Sequence, residues 1–310
     1  MKSLKYFSLF TGIGGLDMGL HELGAECVGY SEIKKTSIKI YQKHYPTHKG
    51  YGDITQLDFN KLPDFDVLTG GFPCQAFSLA GLQLGFGGKT GKMIFYIYDL
   101  IKAKKPKWVV LENVKGLLVH EKGKTYRNVF KLVMSAGYHV RVLLTNSLFY
   151  GSAQARERLI FLCQRDEDFP RVQLEVLDDT KRFRDIRDRD ASHFHFVDMN
   201  KERNIAKIDQ RDLYSFCLVG GYDRVLTLTT AVSGGGGRNP STQQKIVEED
   251  GQFRYLTELE AERLQGFPDG WTEGIGKLMR WFALGNAVNC DVSRYLFKDY
   301  LKKLWWSEKV

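Results

Sequence analysis

Cysteine is sparse: five residues, Cys27, Cys74, Cys163, Cys217 and Cys290, are scattered over 310 positions. No CxxC pair and no Cys/His cluster with zinc-ligand spacing occurs, so no metal site is expected. Five is odd and the chain is not small, which argues against a disulfide framework and for a reducing compartment, the cytoplasm. Each cysteine is then a small buried apolar group or a reactive thiol. A run of about 20 apolar residues is missing, and with it the expectation of a transmembrane helix. The opening MKSLKYFSLFTGIGG is apolar only briefly and lacks a signal-cleavage pattern. Internal repeats and low-complexity tracts are also absent. Acidic side chains are the minority, 37 against 45 Lys plus Arg, for a net charge of +8. An anionic partner suits that balance, nucleic acid being the commonest. With 43% hydrophobic and 26% charged residues the composition is that of a folded protein with ample core material.

A chain of 310 residues suits one large domain with a smaller one. The first half alternates. Short apolar runs at 4–10, 26–31, 66–70, 108–112, 139–145 and 158–163 read as strands. Helical spacing at 16–23, 34–44, 93–103 and 124–135 separates most of them. That alternation predicts an α/β domain, a parallel-type sheet with helices on both faces. Residues 166–204 are dense in Arg, Asp and His with little periodicity, and short β-like pieces at 215–219 and 224–230 precede four glycines, 234–237. This reads as a smaller, loop-rich region. Helical pattern returns at 257–265 and again at 288–304.

Four segments carry candidate chemistry. In FSLFTGIGGLDMGL a strand runs into Gly12, Gly14 and Gly15 before a helix begins. Glycines there let a ligand approach the backbone, although the third glycine of the dinucleotide fingerprint is missing. Glu32 follows at the end of the next strand, where a carboxylate can accept both ribose hydroxyls, and Asp53 is placed for an adenine amino group. In GGFPCQAFSLAG, Cys74 follows a strand end, the edge at which open α/β sheets bind ligands. A thiol there, ahead of a glycine-rich stretch, is a candidate nucleophile. LENV delivers Glu112 at the end of a buried strand, where a carboxylate is costly unless paired or functional. QARER puts Arg156 and Arg158 on one side of an extended segment, suited to phosphate, to carbonyl groups or to Glu112.

The ordered set FTGIGG, SE, GDI, GFPCQAFS, ENV, QARER, TELEAERLQGFPDG and GNAV spans Phe10 to Val288. It resembles the C5-cytosine DNA methyltransferase family of bacterial restriction–modification systems. The resemblance implies a Rossmann-like S-adenosylmethionine-dependent methyltransferase sheet over 1–165 and a small target-recognition domain with its supporting motif over 166–270. A hinge and C-terminal helix over 271–310 would return to the catalytic domain. The reaction would be methyl transfer to carbon 5 of a cytosine flipped out of a short duplex site, leaving S-adenosylhomocysteine.

By the match, Cys74 adds to C6, Glu112 engages N3 and the exocyclic amine, Arg158 holds O2, and Arg156 supports the polar network. The Phe72 carbonyl would accept from the amine, and Asn113 would order the Cys74 loop. The cofactor would touch Phe10, Gly12, Ile13, Gly15, Glu32, Ile33, Asp53, Ile54, Met93, Asn286 and Ala287. Ile33 stands where many relatives have tryptophan. Ser78 and Thr227 match backbone contacts to DNA. Arg238, after the glycine run, would read a guanine edge or bind phosphate. Arg254, Glu260 and Arg263 would buttress the small domain. The expected partner is double-stranded DNA, bound by a monomer, with a companion restriction endonuclease compatible with the family. A branch of the family acts on tRNA; PCQAFS and the long region 166–254 favour DNA. A nicotinamide-dependent dehydrogenase is disfavoured by the glycine spacing and by PCQ with ENV.

Overall fold

The first apolar run becomes the strand around which the sheet is ordered. The computed structural model describes residues 3–73, 93–165, 181–193, 217–218, 225–226, 228, 245–247 and 253–301. Its strands begin with β1 (Lys5–Leu9), β2 (Glu26–Ser31), β3 (Val67–Gly71), β4 (Trp108–Val114), β5 (His139–Asn146), β6 (Gln154–Ala155) and β7 (Glu157–Gln164). Six of them form one sheet in the order β2-β1-β3-β4-β7-β5. β1 pairs parallel with β2 and β3, and β3 parallel with β4. β4 and β7 are antiparallel. The sheet is therefore mixed, where the alternation predicts parallel. Only residues 147–156 separate β5 from β7, too few for the helical crossover that a parallel strand needs.

Both faces of β1 are covered, and alternation explains how. Phe7 and Leu9 point into a core shared with Leu68, Leu111 and Phe161. The helices α3 (Met93–Lys104) and α4 (Lys124–Ser135) contribute to that core. α3 buries Ile94, Ile97, Leu100 and Ile101, and α4 buries Thr125, Val129 and Val133, each at helical spacing. Tyr6 and Ser8 face the other way, toward α1 (Met18–Glu22) and α2 (Lys35–His44). Ser8 Oγ donates to Asp17 just before α1, and the Tyr6 ring meets His48 just beyond α2. Val109, Val110 and Leu111 are wholly buried, as a strand covered on both faces should be.

The chain divides into two compact units. The first is Met1–Thr145, Glu157–Glu175 and Val292–Val310; the second is Asn146–Arg156 and Val176–Asp291. In the second, β6 pairs parallel with β9 (Val225–Leu226). A three-stranded sheet joins β8 (Cys217–Leu218), β10 (Lys245–Val247) and β11 (Phe253–Tyr255). Its described helices are α5 (Phe183–Ile186), α6 (Glu258–Leu264) and α7 (Lys277–Asn286). Thr257 and Glu260 close a reciprocal capping box that starts α6. α7 is not anticipated by the sequence reading; it starts after Gly276 with no side-chain cap, so no start signal announces it.

The last described helix, α8 (Cys290–Arg294), continues as a π-helical turn, Tyr295–Leu301. Ser293 Oγ donates to the Leu16 carbonyl at 2.6 Å and accepts from the Gly19 N–H at 3.0 Å. A Cβ on Gly19 would lie 2.4 Å from the Ser293 carbonyl oxygen, so this docking requires glycine inside α1. Among the described residues no helix is long and apolar enough to cross a membrane.

Candidate active site

The strand order reverses at β1: the chain goes to β2 on one side and to β3 on the other. The carboxyl ends of β1 and β3 therefore flank a topological switch point, the usual ligand crevice of an open α/β sheet. After β1 the backbone turns left-handed at Phe10 (φ 51°), Gly12 (φ 59°) and Gly14 (φ 90°). For Phe10 that conformation costs about 1–3 kcal/mol, a strain characteristic of functional turns. Glu32, at the end of β2, gathers this turn. Its Oε2 accepts from Gly12 N–H at 2.8 Å, and Oε1 accepts from Ile33 and Lys34 N–H at 2.7 and 2.9 Å. Ser31 Oγ donates to the Gly52 carbonyl at 2.7 Å and brings the next segment to the same edge. There Asp53 caps the turn Ile54–Gln56, accepting from Thr55 N–H at 2.9 Å.

Residues 10–15, 32–33 and 53–54 are thus joined at one edge. Ile33 is 65% exposed, an apolar side chain left out of the core. Ile13 and Ile54 are buried, so their side chains serve packing. Gly15 is buried, and Met93 packs half-buried against the core at the start of α3. Asn286 and Ala287 belong to the second unit, at the end of α7. The grouping fits an adenosyl ligand. A carboxylate oxygen has two acceptor sites and Glu32 Oε2 takes one N–H, Ile33 offers an apolar plate, and a Cβ at Gly12 would meet only Phe10 O, at 3.9 Å. No cluster of three metal-ligating side chains occurs among the described residues.

Behind the turn lies a carboxylate that the sequence reading misses. Asp17 accepts from Ser8 Oγ at 2.8 Å, Thr69 Oγ1 at 3.2 Å and Tyr41 Oη at 3.1 Å. Thr11 Oγ1 extends the network to the glycine turn through Ser8 Oγ at 2.9 Å. Burial pushes the Asp17 carboxyl up to about 6, against the opposing pull of its three hydroxyl donors. Its signal was an acid inside an apolar helix start.

The second constellation sits where β3 and β4 end. The register sets Gly71 beside Glu112. A Cβ at Gly71 would come within 3.3 Å of Glu112 Oε2, so the second glycine of GGFPC makes room for that carboxylate. Only the register reveals this role. Arg158 pairs across from Val114, which makes it the diagonal neighbour of Glu112 on β7. Its Nε lies 2.9 Å from Glu112 Oε1, with both side chains little exposed. Asn113 is buried and donates from Nδ2 to the Phe72 carbonyl at 3.0 Å, two residues before Cys74. The Phe72 carbonyl expected to meet the base thus already accepts one hydrogen bond.

The two arginines of QARER part company. A continuous strand would keep them on one face, but Arg156 is the break between β6 and β7 and belongs to the second unit. Its guanidinium is 2% exposed and donates to three main-chain carbonyls: Leu228 at 2.9 Å, Gly285 at 2.9 Å and Ala287 at 2.8 Å. Arg156 positions backbone, whereas Arg158 meets Glu112. In the same unit Arg254 and Glu260 form a fully buried two-bonded pair, and Arg263 binds Asp269 and the carbonyls of Ile186 and Arg187. Cys74, Ser78, Thr227 and Arg238 lie outside the described residues.

Comparison with known proteins bears on this arrangement. The profile of the C-5 cytosine-specific DNA methylase family matches residues 4–302. The chain is 33% identical over 294 residues to the type II methyltransferase M.NgoBI of Neisseria gonorrhoeae, covering 93% of this chain and 90% of that protein. It is 31% identical over 309 residues to the type II methyltransferase M.HhaI of Haemophilus parahaemolyticus, covering 96% and 94%. Among solved structures, the S. pombe Dnmt2 methyltransferase superposes with a TM-score of 0.77 at 20% identity, covering 98% of this chain and 99% of that one. That likeness speaks to the fold. The profile match over nearly the whole length decides the family: this chain belongs to the C-5 cytosine-specific DNA methylases, enzymes that methylate carbon 5 of cytosine in DNA.

Proposed function

We propose that the chain methylates one cytosine within a short double-stranded site through a covalent adduct. Carbon 5 of cytosine is a poor nucleophile. The Cys74 thiolate adds to C6 while Glu112 delivers a proton at N3, which makes C5 enamine-like. Arg158 holds the cytosine O2 and orients Glu112 through its Nε. Asn113 fixes the Phe72 carbonyl and so aims the segment that carries Cys74. Bound S-adenosylmethionine supplies the electrophilic methyl group. Glu32 binds the ribose hydroxyls, Ile33 covers the adenine, and Asp53 meets its amino group. After transfer the C5 proton leaves to water and Cys74 departs by β-elimination. The base must first leave the duplex, at a cost of roughly a few kcal/mol. Ser78, Thr227 and Arg238 contact the DNA, and a monomer treats each strand in turn.

The observation that carries this reading is the Glu112–Arg158 pair, set beside Gly71 at the strand end that leads into Cys74. The test is conversion-based sequencing of plasmid DNA from cells expressing the chain, beside a Cys74→Ser control. Methylated cytosine at one short motif, lost in the control, is the expected result. Near-wild-type methylation by Cys74→Ser removes Cys74 as nucleophile. An unmodified plasmid with soluble, cofactor-binding protein moves the reading to RNA as substrate or to a DNA binder without catalysis.

A further inference from the structure

The segment that follows Glu112 carries a charge pattern that the chemistry above does not use. Between Lys115 and Arg127 the sequence holds Lys115, Lys122, Lys124 and Arg127 against a single acid, Glu121. All four cations are exposed. Lys115 is paired with Glu157 at 2.8 Å. Among the described residues Lys122 and Lys124 have no acidic partner. Folding stability does not account for them. They crowd the start of α4, whose first turn has no acid, and cations at that end of a helix are unfavourable. The backbone also holds Lys122 outward in a costly conformation: Glu121 (φ 49°) and Lys122 (φ 56°) are both left-handed, followed by Gly123 (φ 79°). Arg127 Nη2 secures the turn by donating to the Lys122 carbonyl at 3.2 Å.

A second basic cluster makes the contrast. Lys102, Lys104 and Lys105 close α3, ahead of β4. Cations suit that end of a helix, Lys104 is bonded to Asp64 at 3.0 Å, and Lys102 lies over the Tyr98 ring. Local interactions explain Lys102 and Lys104; Lys105, exposed and itself left-handed (φ 48°), ends the helix where a cation is favourable. The length of β4 places the two clusters about 20 Å apart, one at each edge of the sheet.

We infer that Lys122 and Lys124, at the carboxyl edge of the sheet beyond Glu112, form a docking rim for the phosphate backbone of duplex DNA, with Arg127 bracing it. The inference rests on the duplex-DNA reading above. The rim carries no base information; it anchors the backbone alongside the edge where the base is received.

The test is equilibrium binding of a labelled duplex across a potassium chloride series, with wild type, Lys122→Gln/Lys124→Gln, and Lys102→Gln/Lys105→Gln. Each lost phosphate contact removes about 0.9 from the slope of log K against log salt. The rim variant is expected to lose between one and two units of slope, to bind about tenfold more weakly at fixed salt, and to show a Tm no lower than wild type, since the lost cations are unfavourable at the start of α4. The amino-edge variant is expected to match wild type. A wild-type slope in the rim variant overturns the proposal, as does an equal loss in the amino-edge variant. A wild-type chain that does not bind duplex at any salt overturns the substrate reading itself, a distinguishable failure.

Discussion

Two arginine–glutamate pairs, one in each unit, show what one pair of residue types does in two settings. In the second unit Arg254 and Glu260 are wholly buried, with two parallel bonds at 2.8 and 2.9 Å. Both carboxylate oxygens are further occupied by the Asp188 and Thr257 N–H groups. In the first unit Arg158 Nε lies 2.9 Å from Glu112 Oε1, and the Glu112 and Arg158 side chains keep 12% and 15% of their surface. The first arrangement is closed: satisfied on every side, it specifies one geometry for the strand end at Arg254 and the start of α6. The second keeps a charged pair at the rim of a sheet, reachable by a substrate. Burial, not residue type, separates the two settings: one pair is sealed in the interior, the other keeps a small exposed surface.

The comparison is broken most forcefully at its closed member. Glu260→Ala strands Arg254 in the interior and is expected to cost about 3–5 kcal/mol in urea unfolding. A loss under about 1 kcal/mol would mean that water reaches the pair. At the open member the expectation reverses. Glu112→Gln keeps an acceptor oxygen for Arg158 and costs less stability than Glu260→Ala, about 1–3 kcal/mol. It lowers single-turnover methyl transfer about 10²- to 10⁴-fold with duplex binding kept. Equal single-turnover rates would remove Glu112 from the chemistry.

Asp17 sharpens the contrast, since it is a buried carboxylate held by hydroxyls with no cation among its bonded partners. Its carboxyl is raised to about 6, so the neutral form is the one the fold favours. Stability from this group is complete below about pH 4, falls as pH rises toward 6, and stays lost above, by about 3 kcal/mol. Asp17→Asn therefore stabilises the protein at pH 7.5 by up to about 3 kcal/mol and has little effect below pH 4. The Tyr41 hydroxyl can then accept from the amide and donate to His48 Nδ1, 3.0 Å away. A difference that does not change with pH would show that Asp17 ionises in the fold without penalty. The smallest effect is expected at Gly71→Ala. Its Cβ displaces Glu112 by a few tenths of an ångström and slows the chemical step about tenfold, with Tm little changed. An unaltered rate would show that Glu112 tolerates the shift.

The sheet was legible because its strands are apolar runs bounded by turns, and the helices between them repeat at helical spacing. Strand direction was not: β7 reads like any buried strand, and its antiparallel course follows from the short link after β5. In the candidate site, Glu32 and Glu112 announced themselves as acids at strand ends, where a carboxylate needs a reason. Arg156 and Arg158 looked equivalent because extended chain alternates, and the break at Arg156 sends them to different partners. α7 lacked a cap to mark its start.

By itself the sequence determined the strands of the first half and most of the helices between them, the strand ends that bear Glu32 and Glu112, and, through an ordered set of short motifs, the family. These are local properties, since periodicity, turn residues and motif spacing are written along the chain. Only the tertiary structure decided which residues meet. It put Gly71 against Glu112, Arg158 diagonal to it, Gly19 under Ser293, and Asp17 among three hydroxyls. Such contacts join residues far apart in the chain, and they depend on strand order and register, which no local pattern encodes.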